Sequence, residues 1–91
     1  MTPEEISRTL RKAIETYGIS AQVDVAIEEM AELTQALIHD RRGRLSNIPE
    51  EIADVEIMLQ QLKMYFNIIE DTEKIKLQKI QRLVLLLERS E

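Results

Sequence analysis

Glycine and proline constrain this chain more than any other feature, because they are few and stand where helices would begin or end. The sequence of 91 residues contains two of each, namely Pro3, Gly18, Gly43 and Pro49. Proline is tolerated in the first turn of a helix, and glycine takes the left-handed conformation that often ends one. The long stretches without either residue therefore favour long helices.

The composition supports this interpretation and excludes several classes of function. Hydrophobic residues make up 44% of the chain but aromatic residues only 3%, whereas a β-sandwich or barrel needs more aromatic and turn residues. The absence of cysteine excludes disulfides, thiolate metal sites and a cysteine nucleophile, and a single histidine excludes a histidine-rich zinc site. A net charge of −5 argues against binding to a nucleic-acid polymer.

Targeting signals are also not apparent in the sequence. No apolar run is long enough to span a membrane, and the N-terminus is acidic where a signal peptide would be basic and then apolar. We therefore expect an all-α protein that is cytoplasmic and does not associate with a membrane.

Apolar residues recur at intervals of three and four, which predicts four helices. The first spans residues 3–17, with Thr2 and Glu5 as a capping box and Gly18 as its stop. The second spans 20–40, beginning at Ser20, and the third spans 47–69. The fourth begins after Asp71 or Thr72 and continues to about residue 89. Short connections between four helices predict a four-helix bundle that forms a single domain over residues 1–91.

The middle helices are each expected to bury one apolar stripe. On the second helix the expected stripe comprises Val23, Ala26, Ile27, Met30, Leu33 and Leu37. On the third it comprises Ile52, Val55, Leu59, Leu62 and Phe66.

More apolar surface is present than one small bundle should bury. The segment Leu83–Leu87 is apolar around the whole helix, and Ile57 and Met64 lie roughly opposite the main stripe of the third helix. Because each helix of a monomeric bundle buries one stripe, the surplus suggests a second copy of the chain as partner. The alternative is that these side chains are scattered on the surface.

Acidic residues on the second and third helices are the most informative polar residues. Glu29 and Glu32 are three residues apart, and so are Glu51 and Asp54, so each pair shares a helix face. Glu51 falls within the apolar arc of its helix and Glu29 at the margin of the other. Since burial and mutual repulsion both penalise ionised carboxylates, we expect a hard divalent cation, Mg²⁺ or Mn²⁺, to be bound there. The alternative is that all four are solvated surface charges.

Other metal sites fit the sequence less well. An EF-hand needs a loop of alternating acids with a central glycine, and a ferritin-like di-iron site needs Glu-x-x-His pairs. The position three residues before the single histidine, His39, is Ala36, so the second motif is absent. Four carboxylates without imidazole favour magnesium used in phosphate chemistry.

The same residues carry a resemblance to a known family. The run Glu28-Glu29-Met30-Ala31-Glu32, followed after 18 residues by Glu51-Ile52-Ala53-Asp54, resembles the EExxE…ExxD signature of the all-α nucleoside triphosphate pyrophosphohydrolases. More narrowly, the chain is similar to the small MazG-like proteins of phages and bacteria. The segment from Lys79 to Leu83 in the last helix also looks typical of that group.

The resemblance implies an enzyme that hydrolyses a nucleoside or deoxynucleoside triphosphate to the monophosphate and pyrophosphate with Mg²⁺. Matched by position, Glu29, Glu32, Glu51 and Asp54 would bind the metal. A carboxylate not fully used as a ligand can take the proton of a bound water, and Glu29 or Glu32 is the better candidate for that role. Lys79 and Arg82 match basic positions that would contact substrate phosphates. Relatives are usually homodimers or homotetramers. The chain lacks the aromatic residues with which some relatives grip a base.

Two further functions remain open from the sequence. One is a non-catalytic helical interaction protein that oligomerises and retains the fold, and the other is an acidic binding bundle without metal. Stabilisation by a divalent cation would distinguish the metal-free binding bundle from the enzyme and the interaction protein. Turnover would distinguish the enzyme from the interaction protein.

Overall fold

The computed structural model describes residues 1–90 and is built from helices. They are α1 (Pro3–Tyr17), α2 (Ile19–Arg41), α3 (Ile48–Tyr65) and α4 (Ile69–Ser90). The described residues contain no strand. The all-α class and the number of helices are thus confirmed.

The first helix has the predicted bounds and the predicted cap. The Thr2 side chain accepts a hydrogen bond from the backbone N–H of Glu5, and the Glu5 carboxylate accepts one from the N–H of Thr2. Gly18, with φ of 85°, ends α1, and its N–H donates to the carbonyl of Ile14 over 2.8 Å. Because α2 begins directly at Ile19, Gly18 caps both helices, and the predicted cap at Ser20 is wrong.

The predicted boundary between the last two helices is also wrong. Helix α3 ends at Tyr65 rather than near residue 69, and α4 begins at Ile69 rather than after Asp71 or Thr72. Asn67 takes a left-handed conformation with φ of 55°, and the N–H of Ile68 donates to the carbonyl of Lys63. This is a Schellman motif with asparagine in place of glycine, which a search for glycine and proline does not detect.

Packing is concentrated in the first three helices. Helices α2 and α3 form a hairpin that provides most of the contacts, and α1 packs against both of them. A cross-link to α1 comes from Gln61, whose Nε2 donates to the carbonyl of Leu10 over 3.4 Å. Helix α4 contacts only α3, and none of its residues is buried.

The buried faces of the hairpin differ from the predicted stripes. The buried residues are Gln22, Ala26 and Ala36 of α2, and Met58 and Gln61 of α3. Of the predicted α2 stripe, Ile27, Met30 and Leu37 are exposed, and of the α3 stripe, Ile52, Leu59 and Phe66 are exposed. Each helix is therefore rotated so that its acidic edge turns inward and part of its apolar face is left uncovered.

Met58 is the largest apolar side chain in this small core, with 7% of its surface exposed. Truncating a buried methionine to alanine removes packing and leaves a cavity, so Met58→Ala should lower the free energy of unfolding by about 2 kcal/mol or more. Urea titration at one protein concentration measures this. The control is Leu45→Ala, because Leu45 is 100% exposed and its truncation should change the free energy by less than about 0.5 kcal/mol. Equal effects of both changes would contradict this description of the core.

The helices can be compared with the length and hydrophobicity that a membrane-spanning helix needs. Within residues 1–90, none of the helices has a segment apolar enough over its length to cross a bilayer.

Candidate metal centre

Helices α2 and α3 bring three carboxylates together where they pack side by side. Glu29 comes from the middle of α2, and Glu51 and Asp54 come from the first two turns of α3. One oxygen from each lies within 4.8 Å of the other two, and all three side chains are half-buried. Three of the four acids expected from the sequence thus meet across one helix interface, and Glu32 stands outside this group.

Two of these carboxylates have an oxygen without any partner. Oε2 of Glu29 and Oε2 of Glu51 are both buried and accept no hydrogen bond from the protein. Leaving a buried acceptor unsatisfied costs free energy, and more so when the group is charged. These two oxygens, at the interface between α2 and α3, are therefore available to coordinate a cation.

Burial and mutual repulsion raise the pKa of Glu29 above its ordinary value of 4.5. Loss of solvent around the carboxylate is the largest cause, and the charges of Glu32, Asp54 and Glu51 act in the same direction. Asp54, which would accept a hydrogen bond from a protonated Glu29, raises the pKa of Glu29 further. Negative charges on both α2 and α3 therefore disfavour the ionised form of Glu29.

The pKa of Glu51 is raised for the same reasons. Loss of solvent contributes most, followed by the charges of Glu32, Asp54 and Glu50. Glu32, which would accept a hydrogen bond from a protonated Glu51, raises the pKa of Glu51 further. Although Glu32 is exposed and stands outside the group of three close oxygens, its charge acts on the same centre.

Basic side chains do not neutralise the cluster within one chain. Among residues 1–90 the ion pair present joins Lys76 to Glu73, at 3.3 Å on the exposed face of α4. Lys79 and Arg82 also lie on α4, beside Ile75 and Gln78, and α4 makes no contact with α2. Within one chain, no contact between helices therefore links these two predicted phosphate-binding residues to Glu29.

The cluster has the properties that a hard divalent cation requires. All available ligand atoms are carboxylate oxygens, two of them are buried without partners, and no histidine or cysteine is present among them. Mg²⁺ and Mn²⁺ prefer such oxygens, and bound cations relieve repulsion between the carboxylates. Glu29, Glu51 and Asp54 would hold the ion, with Glu32 within electrostatic range.

The sequence did not indicate two buried amides on the helices that carry this centre, each about 10 Å along its helix from the nearest carboxylate residue of the centre. Gln22 of α2 and Gln61 of α3 are 9% and 3% exposed, and Oε1 of Gln61 has no hydrogen-bond partner. Glutamine is usually a surface residue, so single-sequence periodicity gives it no weight as a buried position. A signal was available in the spacing, because Gln22 and Glu29 are seven residues apart, as are Asp54 and Gln61, which places each pair on one helix face.

Comparison of the chain with protein-family models, with curated proteins and with solved structures gives no match in any of the three.

Proposed function

We propose that this protein hydrolyses a nucleoside or deoxynucleoside triphosphate to the monophosphate and pyrophosphate in the presence of Mg²⁺, as a MazG-like enzyme. The observation that supports this is the convergence of Glu29, Glu51 and Asp54 within 4.8 Å. These are three of the four acids that the resemblance assigns to the metal. A surface cluster of charges would leave all carboxylate oxygens solvated, whereas here two are buried without a partner.

The chain's own residues would divide the work between metal binding and proton transfer. Glu29, Glu51 and Asp54 would hold the cation, which when bound would supply positive charge against the triphosphate and lower the pKa of a nearby water. Glu32 is the better candidate for accepting the water's proton, because it is exposed and stands outside the three close carboxylates. A carboxylate that is not fully used as a ligand can act as a general base.

The remaining parts of the proposal concern substrate contacts and assembly. Lys79 and Arg82 would contact phosphate oxygens, and since α4 makes no contact with α2 in one chain, we propose that they do so in an assembly. We accordingly propose that the active form is a homodimer or homotetramer, and that it acts in the cytoplasm.

A second candidate function is a non-catalytic helical protein that oligomerises. It is favoured by one observation, namely that α4 buries none of its residues and exposes Leu83, Leu85 and Leu87 by half or more. Such a protein would bind a divalent cation for stability and release no pyrophosphate.

A screen of pyrophosphate release tests the proposal. The common ribo- and deoxyribonucleoside triphosphates are incubated with the protein and Mg²⁺, and monophosphate and pyrophosphate are quantified. We expect equal amounts of the two products from at least one substrate, lost with Asp54→Asn and retained with Glu56→Gln, an exposed acid on the same helix. Inorganic phosphate as the product, or equal activity of both variants, would contradict the proposal.

A further inference from the structure

The surface area of the chain is larger than a folded monomer of its size should expose. A compact protein of 10.6 kDa exposes about 5,500 Å², whereas this chain exposes 7517 Å². Its radius of gyration is 16.4 Å, and a compact chain of this length has about 12 Å. The surplus, about 2,000 Å² for each chain, is comparable to what each subunit of an obligate dimer buries.

Helix α4 contributes to this surplus. It contacts only α3, and it leaves large apolar side chains half-exposed along its length. An isolated helix without a packed face is marginal in water, and a contiguous exposed apolar surface marks an interface. This helix therefore needs a partner that its own chain does not supply.

Four of the nine exposed large apolar side chains of α4 follow a heptad pattern. Leu77, Ile80, Val84 and Leu87 stand at the a, d, a and d positions of two consecutive heptads, which is the spacing of a coiled-coil seam. Their exposed fractions are 57%, 55%, 49% and 57%. A seam of this kind is self-complementary, so the partner it fits best is the same seam on another helix.

The charges beside the seam specify the direction of pairing. Lys74 and Glu88 both stand at e positions, directly beside the seam. In an antiparallel pair that matches Leu77 with the partner's Leu87, Lys74 lies opposite the partner's Glu88. The two-fold symmetry of the pair gives a second, identical contact at its other end. In a parallel pair the flanking positions give no contact between opposite charges. Within residues 1–90, neither Lys74 nor Glu88 takes part in an ion pair, so both are available to a partner.

We propose that two copies of this chain associate through an antiparallel pairing of their α4 helices, with Leu77, Ile80, Val84 and Leu87 in the seam and Lys74 facing Glu88 of the second copy. Lys79 and Arg82 occupy the c and f positions, outside the seam, so the pairing leaves them accessible. This pairing does not depend on the proposed enzymatic function.

The first test is the mass of the full chain in solution. Sedimentation equilibrium at micromolar concentration should give at least twice the chain mass of 10.6 kDa. Ile80→Arg places a charge in the seam and should weaken association at least tenfold, halving the observed mass, while circular dichroism shows α1–α3 still folded. A monomeric parent protein, or a parent mass unchanged by Ile80→Arg, would overturn the proposal.

A charge exchange tests the direction of pairing without disturbing the seam. At low salt, Lys74→Glu and Glu88→Lys should each weaken association by about three- to tenfold, because each sets like charges against each other at both ends. An equal mixture of the two variants should regain parental affinity, since one chain of the mixed pair then carries glutamate at both positions and the other carries lysine at both. The control is Lys79→Glu, an identical charge change outside the seam, which should leave the mass unchanged. A mixture no tighter than either variant alone would exclude the antiparallel register.

Discussion

Replacing Glu51 by glutamine should lower triphosphate hydrolysis by a factor on the order of a hundred or more and leave the helices intact. Oε2 of Glu51 is buried without a hydrogen-bond partner, and its carboxylate is one of the three that approach within 4.8 Å. Glutamine preserves the size of the side chain but removes the negative charge that a hard cation requires. Steady-state rates of pyrophosphate release at saturating Mg²⁺ measure the loss.

Glu50→Gln provides a matched control for that experiment. Glu50 is adjacent in sequence but exposed, and its carboxylate accepts a hydrogen bond from the side chain of Asn47 at the start of α3. Its replacement should reduce hydrolysis by no more than about twofold. If Glu50→Gln were as damaging as Glu51→Gln, or if Glu51→Gln retained full turnover, the carboxylate cluster would not be the catalytic centre.

Millimolar Mg²⁺ or Mn²⁺ should raise the melting temperature at pH 7 by about 10 to 20 °C when the ion is present at about a hundred times its Kd. We expect the ion to bind the folded chain, where Glu29, Glu51 and Asp54 converge, and not the separated carboxylates of the unfolded chain. Thermal melts with metal and with chelator measure the difference. Equal melting temperatures at pH 7 would show that no cation binds this cluster.

The same effect should depend on pH with a definite sign. The pKa values of Glu29 and Glu51 are raised in the folded state above 4.5. Their protonation therefore stabilises the metal-free fold fully below about pH 4.5, and this contribution is lost as pH rises through the raised values. Protons and cation compete for the same oxygens, so the increase in melting temperature caused by metal should be smaller at pH 5 than at pH 7. An increase that is larger at pH 5 would contradict this assignment.

Variants separate this pH effect from the titration of other groups. Glu29→Gln should make the metal-free protein at pH 7 as stable as the parent or more so, because a source of repulsion is removed. The same variant should lose most of the stabilisation by metal. Glu28→Gln, one residue earlier on the exposed side of α2, should change neither quantity. Equal behaviour of the two variants would mean that the acids of α2 act only as surface charges.

The sequence predicted the helical class and the acidic partners because both depend on local spacing. Residues three apart on a helix share a face whatever surrounds them, so Glu51 and Asp54 could be placed together before any packing was known. The capping box of Thr2 and Glu5 is equally local. These features required no knowledge of which helices pack against each other.

Features that depend on the relative rotation of helices could not be predicted in this way. The expected α2 stripe included Ile27 and Leu37, which are 57% and 46% exposed, because hydrophobicity alone placed them inside. The actual interface turns Glu29 inward and buries Gln22 and Ala36. If α4 pairs with a second copy, its apolar residues form an interface between chains. The periodicity of one sequence does not distinguish such an interface from the core of a single chain.

Anomalous diffraction from crystals of the protein grown with Mn²⁺ tests the central claim, that the α2–α3 carboxylates form a metal centre. The claim predicts an anomalous peak within coordination distance, about 2.2 Å, of oxygens from Glu29, Glu51 and Asp54, and its loss in Glu51→Gln crystals grown in the same way. A map with no peak between these carboxylates at saturating Mn²⁺, or with ions bound only elsewhere, would contradict it.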